Sequence, residues 1–448
     1  MATNRIDVTT GFGAARVEPA PVVRAPGRPR VWTLDPGVAV VVGTRCLGIA
    51  VGIVSSVITA RYLQPAGRGE YFVALTAAQL LAQFGNLGLH SSNTYFLARE
   101  RGLFAGLLAN SVWVSFFVMP LMAAILLSLA PAALFGALSF SGRLFVVAVA
   151  PFMVFSVLGG GLMVGLNQVT SFGFMQPLNA TLILVFMLVA ASVHAGPNGF
   201  LAASAAGWTA ATAVMLWLLF RQSSGAVAFK RDVFGSTFGY STKAYLATLA
   251  GFIVLRLNVF TLHATSGAEQ VGYYSVASQI ADTLGILPQS TALVLFPRLA
   301  ACKTGQLKMM MRDALRIGAV LALACAAVWL FASPAIRIAF GSRFEPAVPV
   351  LRAMLPGVLL LGVMSIVSQY LAANDFPASL VAAWLTAGVL TGVLGRPLVA
   401  RYGAVGAAAT LSIVYAGLLI ALLALCWRVA NARVLADSGT PAGSRRGR

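Results

Sequence analysis

Charge is scarce in this chain. Of its 448 residues only 10% are Asp, Glu, Lys or Arg, against about a quarter in an ordinary soluble domain, and only 12 are acidic. A water-soluble fold of this length is excluded. Cysteine is nearly absent: Cys46, Cys302, Cys325 and Cys426 lie in or beside apolar runs without Cys-x-x-Cys spacing, so neither a disulfide framework nor a metal cluster is expected. The three histidines (His90, His194, His263) are scattered with no metal-ligand spacing. No G-x-x-x-x-G-K-[ST] loop is present to cradle nucleotide phosphates, and no G-x-S-x-G elbow presents a serine nucleophile. Loops between the apolar runs are short and leave no domain for acceptor chemistry. An enzyme is not expected, and neither is a cofactor.

What fills the chain instead is apolar: 59% of residues, gathered into long runs. Twelve candidate spans follow, at 37–60, 70–89, 103–129, 143–166, 172–193, 199–220, 244–264, 271–297, 309–332, 347–373, 376–395 and 405–427. Each is near the roughly 20 residues that cross ~30 Å of hydrocarbon, so the expected fold class is an all-α polytopic membrane protein. Its net charge of +19 is distributed by side, and no nucleic-acid partner is expected. With a cytoplasmic N-terminus, 21 basic residues fall in the tails and loops of that side. Seven (Arg61, Arg68, Arg143, Arg337, Arg343, Arg396, Arg401) fall opposite, and Arg45, Arg256 and Arg352 lie inside spans. Basic residues mark the cytoplasmic side, so both termini are expected there. Residues 1–36 lack the apolar core of a cleavable signal and read as a disordered basic tail near anionic lipids. A second basic tail occupies 428–448.

A weak internal repeat divides the chain. Gly69-Glu70-Tyr71-Phe72-Val73-Ala74 matches Gly272-Tyr273-Tyr274-Ser275-Val276-Ala277 at an offset of 203. Phe135-Gly136 matches Phe340-Gly341 at 205, and Asn167, Gly196 and Gly199 match Asn374, Gly403 and Gly406 at 207. Two six-span bundles are expected, 37–220 and 244–427, joined by a basic linker at 221–243. An even number of spans makes the repeat parallel, about an axis along the membrane normal, with a substrate route between the halves.

Polar side chains recur at matching points of the two halves. In the second span Thr76, Gln79, Gln83 and Asn86 share one helical face, and in the eighth so do Gln279, Asp282 and Gln289. Amides facing lipid are costly, so these faces are expected to line protein or water, with a wet cavity preferred over simple interhelical hydrogen bonding. Arg45 lies about 12 Å into its span, Arg256 about 18 Å and, from the other side, Asp282 about 17 Å. The Arg256–Asp282 depth match suggests a partial ion pair, with Asn258 close by. Arg45 and Arg256 leave the cavity net positive, which suits a phosphate-bearing substrate. Arg352, near the end of its span, either faces the cavity or snorkels to the surface. Prolines 120, 151, 177, 288 and 356 and Gly159-Gly160-Gly161 fall inside spans, where neighbouring helices can satisfy the freed backbone.

Certain segments resemble a known family. Ala60-Arg61-Tyr62-Leu63-Gln64-Pro65-Ala66-Gly67-Arg68-Gly69-Glu70-Tyr71 is similar to the R-x-L-G-P-x-G-x-G-x-Y signature of polysaccharide flippases, and Val271-Gly272-Tyr273-Tyr274-Ser275-Val276-Ala277 resembles their V-G-x-Y-x-x-A segment. Phe296-Pro297-Arg298, Phe340-Gly341-Ser342-Arg343-Phe344 and Leu371-Ala372-Ala373-Asn374 occupy comparable places. Over about 37–427 the chain resembles the multidrug/oligosaccharidyl-lipid/polysaccharide (MOP) superfamily, and within it the Wzx-type O-antigen and exopolysaccharide flippases. The resemblance implies transfer of an undecaprenyl-pyrophosphate-linked oligosaccharide to the outer leaflet, with polysaccharide polymerase and other assembly-pathway membrane proteins as candidate partners. Coupling to protons or sodium ions is left open: where many relatives have Arg-x-Asp, this chain reads Arg256-Leu257-Asn258. Alternatives are a peptidoglycan-precursor flippase, usually of fourteen spans, a drug/cation antiporter, whose cavity is expected to be acidic, and a membrane polymerase or ligase.

Overall fold

The computed structural model describes residues 36–129, 138–223, 229, 231–301, 305–374 and 378–438. The tails at 1–35 and 439–448, part of the 221–243 linker, Phe135-Gly136 and Cys302 lie outside the described residues. The elements are helices: α1 (Pro36–Gly85), α2 (Leu89–Arg99), α3 (Phe104–Trp113), α4 (Met119–Leu129), α5 (Phe140–Gly165), α6 (Val169–Ser192) and α7 (Pro197–Gln222) in the first half. The second half contains α8 (Arg231–Leu284), α9 (Ile286–Ala301), α10 (Gln306–Phe340), α11 (Ala347–Ala372) and α12 (Ala378–Ser438).

Among the described residues nine helices are long and apolar enough to cross a membrane. Three of these bend at one non-helical residue, α1 at Gln64, α8 at Gly267 and α12 at Gly403. Counting each bent rod as two arms turns the nine into twelve crossings, as the apolar runs imply. The protein is an all-α, multi-pass membrane protein of two helical bundles.

The bends follow the repeat. Gln64 (φ 59°, ψ 176°) and Gly267 (φ 81°, ψ 176°) are 203 residues apart and share a backbone conformation reserved almost wholly for glycine. At Gln64 the following Pro65 bars the helical region, and the Gln64 side-chain amide donates to the Arg61 carbonyl at 2.8 Å, capping the end of the first arm. Gly403 (φ 56°) stands 207 residues after Gly196, where α6 and α7 part.

Most prolines noted in the sequence leave their helices continuous. Pro151, Pro177 and Pro356 sit inside α5, α6 and α11, and Gly159-Gly160-Gly161 lie within α5. Pro120 follows a π-helical turn, Val114–Val118, which widens the ladder just ahead of the residue that lacks an N–H.

In lipid, helix association depends on close packing, since the tails are as apolar as leucine, and small residues permit the closest approach. The two halves meet chiefly through α1 and α8. A Cβ on Gly69 would lie 1.7 Å from the Ala268 carbonyl oxygen, and one on Gly272 would lie 2.0 Å from that of Pro65. Pro65 and Ala268 are themselves 203 apart, so this contact is reciprocal, as a two-fold axis requires. At the same end Arg61 of the first half donates from Nε to the Ala339 carbonyl (2.9 Å) and from Nη2 to that of Ile338 (2.5 Å), capping the C-terminus of α10. The bend end of the interface is therefore shut backbone to backbone. At the tail end the halves meet through side chains, with Tyr245 Oη donating to the Phe84 carbonyl at 2.7 Å and Trp113 packed on Phe229 and Phe234.

Candidate functional site: a cationic cavity between the halves

A cavity of about 950 Å³ is walled mainly by the first bundle, with α8 and Ile286 of the second half completing its lining. Its first wall is a stripe of α1, in which Arg45, Gly48, Gly52, Ser55, Ser56 and Thr59 recur at three- and four-residue steps and so share a face. The returning arm of α1 adds Arg68, Tyr71, Gln79 and Gln83, and α8 adds Arg256, Gln279, Asp282 and Thr283. From α2, α6 and α7 come His90, Gln176, Asn179 and Trp208.

Six of the residues singled out by sequence thus face one space: Arg45, Gln79, Gln83, Arg256, Gln279 and Asp282. Arg256 Nη2 lies 3.6 Å from Asp282 Oδ2, an ion pair slightly too long for a hydrogen bond. Asp282 keeps 58% of its side chain accessible and Arg256 19%, so the carboxylate stands in the open cavity and the guanidinium against the wall. Arg256 Nε is buried and has no hydrogen-bond partner among the described residues. The pair leaves donor capacity on the arginine unused.

Four residues expected at the site lie elsewhere. Asn86 falls where α1 has already ended at Gly85, in a turn through Leu87 (φ 49°) and Gly88 (φ 73°), and its Oδ1 accepts from the Gly88 N–H at 2.7 Å. Gln289 lies beyond the break at Gly285 between α8 and α9. In both cases the 100° step was carried across a helix end, where it no longer holds. Asn258 is fully buried and donates to the Ala407 carbonyl of α12 at 3.0 Å, a bond within the second half. Arg352 stacks on Trp329, 5.4 Å from the ring centroid, and donates to its carbonyl at 3.4 Å. It joins α11 to α10 and is not among the cavity-lining residues.

Sequence reasoning also misplaced Arg68. It was counted among loop arginines on the side opposite the tails, yet its residue is only 4% exposed and its guanidinium reaches the cavity. Position next to a short loop was the misleading signal. The bend at Gln64 turns the chain back so sharply that Arg68, four residues later, already faces inward.

A family model described as "Polysaccharide biosynthesis protein" matches residues 58–349, about two thirds of the chain. The chain belongs to the polysaccharide biosynthesis protein family. No curated protein matches it significantly by sequence. Among solved structures, this chain shares its fold with the lipid II flippase MurJ in an inward closed conformation, with TM-score 0.73 and 14% identity over 86% of this chain and 87% of that one. An inward-facing multidrug resistance MATE family transporter of the MOP superfamily matches with TM-score 0.69 and 14% identity over 90% of this chain and 99% of that one. A MOP superfamily transporter from Pyrococcus furiosus, described as having a binding pocket of reverse polarity, matches with TM-score 0.60 and 14% identity over 91% of this chain and 98% of that one. The fold of this polysaccharide biosynthesis protein is that of the MOP transporters.

Proposed function

We propose that this protein is a flippase that carries an undecaprenyl-pyrophosphate-linked oligosaccharide from the cytoplasmic to the outer leaflet of a bacterial inner membrane, for O-antigen, capsule or exopolysaccharide assembly. One observation carries the reading: the cavity between the halves is lined by three arginines, Arg45, Arg68 and Arg256, against one carboxylate, Asp282. A cation antiporter needs the opposite sign. A pyrophosphate brings the negative charge this cavity lacks, and planar guanidinium forks match phosphate oxygens in pairs. In this reading the tail end of the interface faces the cytoplasm and the bend end faces outward. Arg45 meets the pyrophosphate first and Arg256 takes it at the midplane, where Asp282 yields its hold. Gln79, Gln83 and Gln279 supply neutral hydrogen bonds to sugar hydroxyls.

Arg45→Ala and Arg256→Ala should each abolish polymer export in a strain that lacks its own flippase, at normal membrane levels of the protein. Lysine in their place should restore part of the export, since charge survives and the fork does not. Normal export from both alanine variants would falsify the anionic-substrate reading.

A further inference from the structure

Arg68 is a buried cation without a buried anion. Its guanidinium donates from Nε to Ser275 Oγ (2.9 Å), from Nη1 to the Ser56 carbonyl (2.7 Å) and to Thr59 Oγ1, and from Nη2 to Ser56 Oγ (2.8 Å). Every acceptor is a neutral oxygen. No carboxylate lies within ion-pair distance among the described residues, whose ion pairs are Arg256–Asp282 and Arg312–Asp313. Neutral hydroxyls satisfy the geometry of a guanidinium but leave its charge uncompensated, in surroundings where charge is expensive to keep.

Two further observations give this cation a role. The first is its height. Measured along the helices from the bends at Gln64 and Gly267, Arg68 lies about 6 Å inside the shut end, Arg256 about 16 Å and Arg45 about 28 Å, at 1.5 Å per residue. The three cavity arginines form a series of steps from the tail end to the bend end. The second is its partner. Ser56 and Thr59 belong to the same rod as Arg68, but Ser275 belongs to the other half, and its hydroxyl donates onward to the Gly272 carbonyl at 2.7 Å. Gly272 is one of the two glycines through which the halves close. Arg68 thus holds the seam from inside the cavity with a hydrogen bond that an anion can outcompete, because a phosphate brings full negative charge and can take two parallel N–H groups of the fork, whereas the Ser275 hydroxyl is a single neutral acceptor.

We propose that Arg68 is the last anion station of the cavity and the trigger of its outer seam. A pyrophosphate advancing from Arg256 takes the Arg68 guanidinium away from Ser275, and the loss of that bond frees the Gly69–Gly272 seam to part. The substrate itself thereby opens the exit. This rests on the reading of the substrate as a lipid-linked pyrophosphate.

The test uses the full-length protein in lipid nanodiscs, with native cysteines replaced and spin labels on cysteines at Ala66 and Glu269, exposed positions 203 residues apart in the two halves. The probes are undecaprenyl pyrophosphate and, as an uncharged control, undecaprenol. In the otherwise unchanged protein the pyrophosphate lipid should lengthen the label separation and the alcohol should not. Arg68→Gln, which keeps hydrogen-bonding capacity, should still bind the pyrophosphate lipid through Arg45 and Arg256, with affinity reduced severalfold, but the labels should stay together. Arg68→Lys should respond only at higher lipid concentration. Ser275→Ala, which leaves the arginine in place, should respond at lower concentration. If the parent protein binds no undecaprenyl pyrophosphate, the substrate reading fails and this proposal with it. If it binds and opens, but Arg68→Gln and Ser275→Ala open just as it does, the trigger role fails alone. Labels already apart in lipid-free Arg68→Gln would make Arg68 a plain structural tie and would likewise overturn the proposal.

Discussion

Arg256 and Asp282 stand 3.6 Å apart, near enough to feel each other's charge and too far for a good hydrogen bond. With the carboxylate largely water-accessible, such a pair contributes about 1 kcal/mol or less. It competes with an incoming phosphate without blocking it. Asp282→Asn removes the competitor and preserves the shape, so undecaprenyl pyrophosphate should bind about 3- to 5-fold more tightly, which is what a loss of up to about 1 kcal/mol of competition gives. Export should fall, because release from Arg256 is no longer assisted. Titration of the purified protein against the lipid, beside an export assay, checks both signs. Weaker binding in Asp282→Asn would mean that the carboxylate contacts the substrate directly.

At the scale of the element, the bent rods α1 and α8 organise the molecule. Each has its non-helical residue near the apex and a glycine five residues later, at Gly69 and Gly272, pressed on the other's backbone. A side chain there has no room: with a Cβ at 1.7 Å or 2.0 Å from a carbonyl oxygen, the backbone itself must move by more than about 1 Å to reach ordinary contact. Gly69→Ala and Gly272→Ala should both part the seam, and to similar extents because the contact is reciprocal. A cysteine at Gln79 should then react severalfold faster with a membrane-impermeant thiol reagent applied from outside. Gly417→Ala, where a Cβ meets nothing within 4 Å, should leave the rate unchanged. Equal rates in all three variants would show that the seam is not the barrier.

For the whole molecule, an even number of crossings predicts both chain ends on one side, and the 21 to 7 division of basic residues predicts that this side is the cytoplasm. Arg68 faces the cavity and takes one residue from the smaller count, while Arg61 stays at the bend end, on the C-terminus of α10. Reporter fusions after residues 168, 232 and 440 should all register cytoplasm. A periplasmic signal at 232 would overturn the division into two times six spans.

Much of this architecture was legible in the sequence, since it depends on local and periodic properties. Run length set the crossings, because the thickness of hydrocarbon sets a minimum number of helical residues. The drifting offset of 203 to 207 exposed the two halves, and the bends at Gln64 and Gly267 keep the first of those offsets to the residue. Arg45, Gln79, Gln83, Arg256, Gln279 and Asp282 were readable as one polar lining, because unbroken helices carry a face forward by a constant angle. Where the helices break that rule lapses: Asn86 and Gln289 lie past helix ends, and only the fold showed it. The stripe of Ser55, Ser56 and Thr59 was visible as spacing, but hydroxyls in membrane helices commonly bond their own backbone and so give no direction. Asn258 pointed into its own half and Arg68 into the cavity by decisions made between helices distant in the chain. The tertiary structure alone decided which charges meet, because at a bend and across an interface a side chain's direction depends on the partner backbone, which no local pattern encodes.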